Sequence, residues 1–356
     1  MAEYEHHGNH EHWQVEVGKS KVIELDGVSS LDVFIIRGRI DIIGTDDDYA
    51  RLEISNVAGE PVDVQFKKGQ LIITHPKDAV HIAHGSSITV NVHGWRGLFG
   101  LKRDTKRLHA DISLLVPRGI EVEVASVQGD SLISGLDHGA ELSTVSGSVI
   151  SDGLRGKLEL NNVSGKVEAR NHHGSVEATT VSGEVVLSGD FRDIETNSVS
   201  GDLYVDALGA PRHLEANAVS GNMAVRLDPR VRAEYSMNSM RGTALIDGKR
   251  FHTRFKGFDY SDGPKDGPAT TVEFNAISGS LKVVRREPLR FDDDLGDEHD
   301  GDDDRDRRRS SGRHCDEYDR ASFTDDRGYD IRVGDSDDDG NASDDNESDH
   351  AGDEAR

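Results

Sequence analysis

Hydrophobic and polar residues alternate along the middle of the chain in a pattern with a period of eighteen positions. A Val-Ser-Gly triplet or a close equivalent begins at Val127, Val145, Val163, Val181, Val199 and Val219, and Ile277-Ser278-Gly279 closes the pattern. Apolar or small residues recur four and six positions after the triplet valine, as at Val167 and Ala169. Because side chains alternate between the two faces of a strand, this spacing predicts β-strands with one buried and one solvated face.

The glycine of each triplet is predicted to lie at a tight corner that a Cβ atom would hinder. The six structural repeat corners are Gly129, Gly147, Gly165, Gly183, Gly201 and Gly221. A weaker break in the alternating pattern occurs nine residues after each triplet, as at Leu136 and Leu154, and divides each unit into two halves. Two architectures satisfy the pattern: a β-solenoid of stacked coils and an antiparallel meander with hairpins at the triplets. The solenoid is favoured because a coil encloses its own apolar face.

The flanking segments also look like strands but are irregular, and they are expected to cap the ends of the stack. Residues 291–356 carry 26 Asp or Glu against 9 Arg, a net charge of −17, and hold few large apolar side chains. Such a segment cannot bury enough surface to fold. We therefore predict an all-β chain with four regions: a flexible His-rich amino terminus (1–12), an irregular β entry region and cap (13–126), β-solenoid repeats with a carboxy-terminal cap (127–286) and a disordered acidic tail (287–356).

Charge and composition exclude several classes of protein. A net charge of −25 repels the phosphate backbone, so nucleic acid is not an expected partner. The lone cysteine, Cys315, cannot form an internal disulfide. No apolar run approaches the roughly 20 residues of a spanning helix, and the first residues are polar and acidic, unlike a secretory signal. We therefore expect a cytoplasmic protein.

No catalytic or cofactor motif is recognisable, including Walker loops, dinucleotide fingerprints and zinc-binding Cys or His pairs. The histidines at positions 6, 7, 10 and 12 and an incomplete calcium-loop pattern starting at Asp335 are interpreted as features of polar, low-complexity segments. His172 and His173 are interpreted as a solvated turn. The sequence thus predicts a protein that is not an enzyme, with no cofactor and no specific metal site.

One segment, residues 93–109, is basic in an acidic protein, with a local charge of +4. Its basic and aromatic residues suit an anionic membrane surface or another interface. The candidate binding residues are Trp95, Arg96, Phe99, Lys102, Arg103, Lys106 and Arg107. The alternatives are that the aromatic residues plug one end of the stack while the cations lie on its rim, or that the segment binds the acidic tail.

Three features together resemble a known family: the stretch RGRIDIIGTDDDYARLEISN, the strand LLVPRGIEVEVASVQG and the tandem V-S-G-x-V units. The chain is similar to the bacterial putative-adhesin β-strand-repeat family, a domain family of unknown function, over roughly residues 31–284. The resemblance implies a β-repeat fold, no defined catalytic residues and, for some relatives, a link to cell-envelope responses.

Two functions follow as expectations. The first is a non-enzymatic β-repeat scaffold or interaction module with an unidentified protein partner, in cell-envelope stress or regulation. The alternative is peripheral membrane or cell-surface binding of the adhesin type through residues 93–109. The sequence leaves the oligomeric state open.

Overall fold

The computed structural model describes residues 10–75, 107–254 and 257–287, together with two short strands at 323–324 and 330–331. All regular elements in these ranges are β-strands, so the prediction of an all-β fold is confirmed. The chain divides into two compact units, Met1–Arg290 and Phe291–Arg356. The finer domain boundaries stay predictions.

The first unit contains sixteen strands, which join in one hydrogen-bonded sheet. They are β1 (His10–Val15), β2 (Lys21–Asp26), β3 (Ser30–Thr45), β4 (Tyr49–Ala58), β5 (Val62–Lys67), β6 (Gln70–His75), β7 (His109–Pro117), β8 (Glu121–Ser134), β9 (Ala140–Asp152), β10 (Arg155–Ala207), β11 (His213–Ser220), β12 (Met223–Leu227), β13 (Arg232–Ile246), β14 (Lys249–Arg254), β15 (Phe258–Asp262) and β16 (Ala269–Arg285).

The strands of the repeat stack in parallel, one repeat above the next. Leu142 of β9 pairs with Val124 of β8 and with Leu160 of β10, so paired residues are eighteen positions apart in the sequence. After β10 the offset grows to twenty positions, as in the pair Leu203 and Met223. Antiparallel hairpins at the triplets, which the meander would require, do not occur at these pairings.

The amino-terminal end of the stack is covered by two antiparallel branches. β3 pairs in parallel with β8, and its other edge is shared by β6 along one half and β7 along the other. β6 continues antiparallel through β5 to β1, and β7 continues antiparallel through β4 to β2. The stack therefore does not end on a long row of unpaired backbone groups, which would invite aggregation.

At the carboxy-terminal end of the stack, the order of the strands in space differs from their order in the sequence. β16 lies between β11 and β12 on one side and β13 on the other, and all these pairings are parallel. β13, which precedes β16 in the sequence, is thus the last parallel strand in space. Its outer edge is covered by antiparallel β14 and β15. The predicted caps at both ends consist of such antiparallel strands.

Most of the core is one cluster of buried residues that runs through the whole stack, and a second, small cluster lies at its amino-terminal end. The residues four and six positions after each triplet valine are buried, from Val149 and Ser151 to Leu203 and Val205. Several of the inward positions hold alanine or valine, such as Ala169 and Val167. The predicted alternation of buried and solvated positions is confirmed.

The second unit contains, among the residues described, one short antiparallel pair. These strands are β17 (Phe323–Thr324) and β18 (Asp330–Ile331). Most of the tail that was predicted to be disordered lies outside the described residues.

Candidate functional site

The corner glycines stack into a column along one side of the molecule, which we call the glycine column. A Cβ atom on Gly165 would lie 2.1 Å from the carbonyl oxygen of Gly147, and one on Gly183 would lie 2.1 Å from that of Gly165. Only glycine fits at such distances. The same contact recurs along the column, whose members in spatial order are Gly38, Gly129, Gly147, Gly165, Gly183, Gly201, Gly221, Gly279 and Gly242.

The triplet serines tie neighbouring coils together beside the glycines. The Oγ atom of Ser164 donates to the carbonyl oxygen of Val145 at 3.1 Å, and that of Ser182 donates to the carbonyl oxygen of Val163 at 3.3 Å. Ser146 makes the same bond to Val127. These bonds satisfy corner carbonyl groups and fix the height of one triplet relative to the next.

The first residue of each triplet points outward and forms an exposed apolar column. The exposed fraction of its members is between 39% and 53%. Seven residues at successive strand spacings of about 4.8 Å span roughly 29 Å. In spatial order these residues are Val145, Val163, Val181, Val199, Val219, Ile277 and Met240.

A column of polar residues, mostly asparagine but with Ser143 and Thr179 at two positions, runs parallel to the apolar column, two residues before it in the sequence; we call it the asparagine column. Asn217 donates to Asn197 at 3.3 Å, Asn275 donates to Asn217 at 3.0 Å, and Asn238 donates to Asn275 at 3.0 Å. A groove of about 580 Å³ lies between the two columns and is lined by Thr, Ser, Asn, Ala, Val and Ile, without a charged residue. A second groove, of about 720 Å³, follows the glycine column on the other side.

We call the glycine, apolar and asparagine columns together the corner face. At the amino-terminal end of the corner face, other segments of the chain cover the apolar column. Val127, the first triplet valine, packs against a cluster formed by Phe34, Ile36, Leu108 and Ala125. The corner face therefore already accepts an apolar side chain, Leu108, from a neighbouring segment of the same protein.

Six of the seven predicted binding residues, Trp95, Arg96, Phe99, Lys102, Arg103 and Lys106, lie outside the described residues. The seventh, Arg107, is exposed. Residues 75 and 108, which lie before and after this segment in the sequence, are both at the amino-terminal end of the corner face. His75 pairs with Ile35 on β3, and Leu108 belongs to the cluster around Val127.

Acidic side chains form another column on a solvated face of the stack, two residues before the asparagine positions. Lys157 forms salt bridges with Glu159 and Glu177, which raise the pKa of its ammonium group. Burial and the neighbouring Glu159 raise the pKa of Glu141. Members of this glutamate column, in spatial order, are Glu123, Glu141, Glu159, Glu177, Glu195, Glu215 and Glu273.

At the carboxy-terminal end of the glutamate column, His213, Glu215 and Glu273 place their side-chain ligand atoms within 4.8 Å of one another. Sequence reasoning missed this cluster. Glu215 and Glu273 are far apart along the chain, and the repeat period gives no sign that β11 and β16 are neighbours. The only sign of the cluster in the sequence is that His213 and Glu215 are two residues apart, which places both side chains on one face of a strand.

The prediction that His172 lies on a solvated turn is wrong. Its side chain is completely buried, and its ring stacks on Phe191 at a centroid distance of 6.0 Å. It occupies the inward corner position that Leu154 holds one coil earlier. Burial lowers the pKa of His172, and neither of its ring nitrogens has a hydrogen-bond partner among the described residues. His173 is exposed, as predicted.

Comparisons with known proteins find similar solved structures of low sequence identity. One, described as a putative cell adhesion protein from Clostridium sporogenes, is 12% identical, covers 75% of this chain and 99% of its own, and has a TM-score of 0.24. A putative lipid binding protein from Parabacteroides distasonis is 16% identical over 76% and 98%, with a TM-score of 0.36. A putative adhesin from Bacteroides fragilis is 11% identical over 75% and 97%, with a TM-score of 0.32.

These similar structures are bacterial and include putative adhesins, in loose agreement with the resemblance noted in the sequence. At such TM-scores they support no function or partner for this chain. No family model and no curated protein matches the sequence. Within the described residues, no helix is long and apolar enough to cross a bilayer.

Proposed function

We propose that this chain is a β-solenoid, adhesin-like binding protein without enzymatic activity, and that the corner face is its contact surface. The observation that carries the proposal is the apolar column, in which seven successive outward positions hold Val, Ile or Met. Single exposed apolar residues are common on protein surfaces, but a continuous row of them marks an interaction site.

The surroundings of the column indicate the chemistry of the partner. The groove between the apolar and asparagine columns holds no charged side chain, although the protein as a whole carries a charge of −25. The asparagine side chains are already ordered by hydrogen bonds to one another, so little side-chain entropy is lost when a partner binds. An elongated, uncharged surface of a partner protein, with apolar groups beside hydrogen-bonding groups, fits this face.

The β-solenoid assignment rests on the constant parallel offset between successive coils and on the glycine column. A stack of this kind presents equivalent side chains at a constant spacing along its axis, which suits binding to an extended target. The absence of an enzymatic role is part of the proposal.

The test uses beads coated with the full-length protein and a washed bacterial cell-envelope preparation. The double variant Val181→Asp, Val199→Asp places two carboxylates in the middle of the apolar column, where both valines are about half exposed. We expect retention to fall at least tenfold for this variant while its circular dichroism spectrum is unchanged.

The matched control is His173→Asp, which adds a carboxylate at an exposed position outside the corner face. It should retain envelope material like the wild type. Equal retention by all three proteins, or equal loss in both variants, would contradict the assignment of the corner face.

A second candidate function is binding to an anionic membrane surface through residues 93–109. It is favoured by the charge of +4 among aromatic residues in that segment. Flotation with vesicles of anionic and of neutral lipid tests it. The variant Trp95→Ala, Arg96→Ala, Lys102→Ala, Arg103→Ala should lose binding to anionic vesicles, and the Val181→Asp, Val199→Asp variant should keep it.

The two functions differ in where the protein must lie. An adhesin-like role requires the corner face outside the cell, whereas the cytoplasmic location stays a prediction from the first residues. Digestion by a protease added to intact host cells distinguishes them, because only an external protein is accessible.

A further inference from the structure

Three potential metal ligands converge on two neighbouring parallel strands. His213 and Glu215 are two residues apart on β11, so both side chains project from the same face. Glu273 on β16 is the direct partner of Glu215 in the strand register. The Nε2 atom of His213 is 3.3 Å from Oε2 of Glu215, and all three ligand atoms lie within 4.8 Å of one another.

These separations suit a tetrahedral metal ion. With metal–ligand distances of about 2.0–2.1 Å, tetrahedral geometry places ligand atoms roughly 3.3 Å apart. The observed His213–Glu215 distance already has this value. The ligand atom of Glu273 lies within 4.8 Å of those of both His213 and Glu215.

A second interaction orients one ligand. Asn217 donates its Nδ2 hydrogen to Oε1 of Glu215 at 3.0 Å, which leaves Oε2 directed at His213. Asn217 is itself held in the asparagine column by Asn275. Supporting bonds of this kind fix the orientation of ligating carboxylates in metal sites.

At the end of the glutamate column near His213, the described residues include no lysine or arginine that offsets the negative charges of the carboxylates. Glu215 and Glu273 face each other directly, and like charges in that arrangement repel. Farther along the column, Lys157 offsets the charge of Glu159 and Glu177. Among the residues that the structure describes, no lysine or arginine forms a salt bridge with Glu215 or Glu273, and the basic group close to both is His213.

We propose that His213, Glu215 and Glu273 bind a divalent transition-metal ion of the zinc type. An imidazole nitrogen with two carboxylates suits Zn²⁺ and Co²⁺, whereas Ca²⁺ and Mg²⁺ prefer oxygen ligands alone. The site lies on a solvated face, so its fourth position is open to water or to a group of a partner. This inference is independent of the proposed function, because none of its three ligands belongs to the corner face.

Titration of the metal-free full-length protein with Zn²⁺, followed by calorimetry, tests the proposal. The His-rich amino terminus and the acidic tail can also take up Zn²⁺, so the site is identified by difference. His213→Gln and Glu273→Gln should each remove one binding event or weaken it at least tenfold. Glu141→Gln, in the same column but four strand spacings or about 19 Å away, should leave that event unchanged.

A gain of affinity gives a second test. Thr271 is the strand partner of His213, so Thr271→His places a fourth potential ligand on the same face, beside the imidazole of His213. We expect Zn²⁺ affinity at least tenfold higher and, with Co²⁺ as the probe, the intense visible absorption of tetrahedral coordination. Thr271→Val has nearly the size of threonine, adds no ligand and should behave like the wild type.

The competing explanation is general attraction of cations by the acidic column. It predicts equal losses in Glu141→Gln and Glu273→Gln, and displacement of Zn²⁺ by millimolar Ca²⁺ or Mg²⁺. Either result, or unchanged Zn²⁺ binding in both His213→Gln and Glu273→Gln, would overturn the proposal.

Discussion

Individual residues in this protein are constrained mainly by their neighbours one coil above and below. The clearest case is Gly165, which has a φ of +124° and lies directly over the carbonyl group of Gly147. Both its backbone conformation and its close contact exclude a Cβ atom. A substitution there cannot be accommodated by a local side-chain rotation, because the obstacle is backbone.

Replacing Gly165 with Ala should destabilise the protein by about 1–3 kcal/mol, since the new Cβ atom would lie 2.1 Å from the Gly147 oxygen. The measurement is equilibrium unfolding in urea at neutral pH. Gly119→Ala is the matched control, because no atom lies within 4 Å of a Cβ built there and its φ is not positive. The corner assignment would be refuted by equal unfolding midpoints for the two variants.

Buried His172 should make stability depend on pH. Burial lowers its pKa in the folded protein, whereas the unfolded chain has a value of about 6.5. Below pH 6.5 the unfolded state therefore binds the proton more readily, so stability is highest above that pH and declines as the pH falls toward the folded pKa. His172→Leu, which copies Leu154 one coil earlier, should flatten the dependence between about pH 7 and 5.

Thermal unfolding at several pH values checks this prediction. His173→Leu, at the exposed neighbouring position, should keep the pH dependence of the wild type. If His172→Leu also kept the full dependence, the acid sensitivity would have to come from other groups.

At the scale of strands, the exchange of order between β13 and β16 creates a tertiary contact network. Arg285 at the end of β16 donates to the carbonyl oxygen of Val231 at 2.8 Å and forms a salt bridge with Asp262 of β15. Tyr235 on β13 donates to the same carboxylate at 3.1 Å. Arg285 thus joins the inserted strand to the edge strand that covers β13.

Arg285→Met should destabilise the protein by roughly 2–4 kcal/mol, because it leaves the largely buried Asp262 carboxylate without its cation. Chemical denaturation measures the loss. Arg155→Met removes an exposed guanidinium from the exposed carboxylate of Asp137 and should change stability little. A similar small change in both variants would show that the Arg285 network does not hold the cap in place.

For the whole molecule, the sheet and its core lie within the first compact unit, residues 1–290. The last strand of that sheet ends at Arg285. The acidic region beyond it contributes no residue to the core cluster found in the described ranges. Its charge of −17 instead makes the chain strongly acidic and keeps like molecules apart.

A protein truncated after Glu287 should therefore remain folded and soluble. Its β-type circular dichroism spectrum and its unfolding midpoint should match those of the full chain within a few degrees. Loss of the spectrum, or a midpoint lowered by more than about 10 °C, would show that the acidic region contributes to the stability of the sheet.

Some features of the candidate site depend on contacts that recur in every repeat, and others depend on the pairing of strands that are far apart in the sequence. The stacking of Gly147, Gly165 and Gly183 could be predicted from the triplets, because one coil repeats the environment of the last. The outward direction of Val181 and its neighbours, and thus the apolar column, required the fold. The grouping of His213 with Glu273 was not predictable, since it depends on which strand fills the place beside β11.

The sequence by itself determined the strand period, the inward positions and the glycine corners, because these depend on contacts that recur in every coil and leave a periodic record in the chain. The tertiary structure decided what is not periodic: the antiparallel branches at the ends, the place of β16 between β11 and β13, the burial of His172 and the cluster at His213. Each of these depends on a single pairing between distant segments, whose free energy comes from the packed core and not from any local preference.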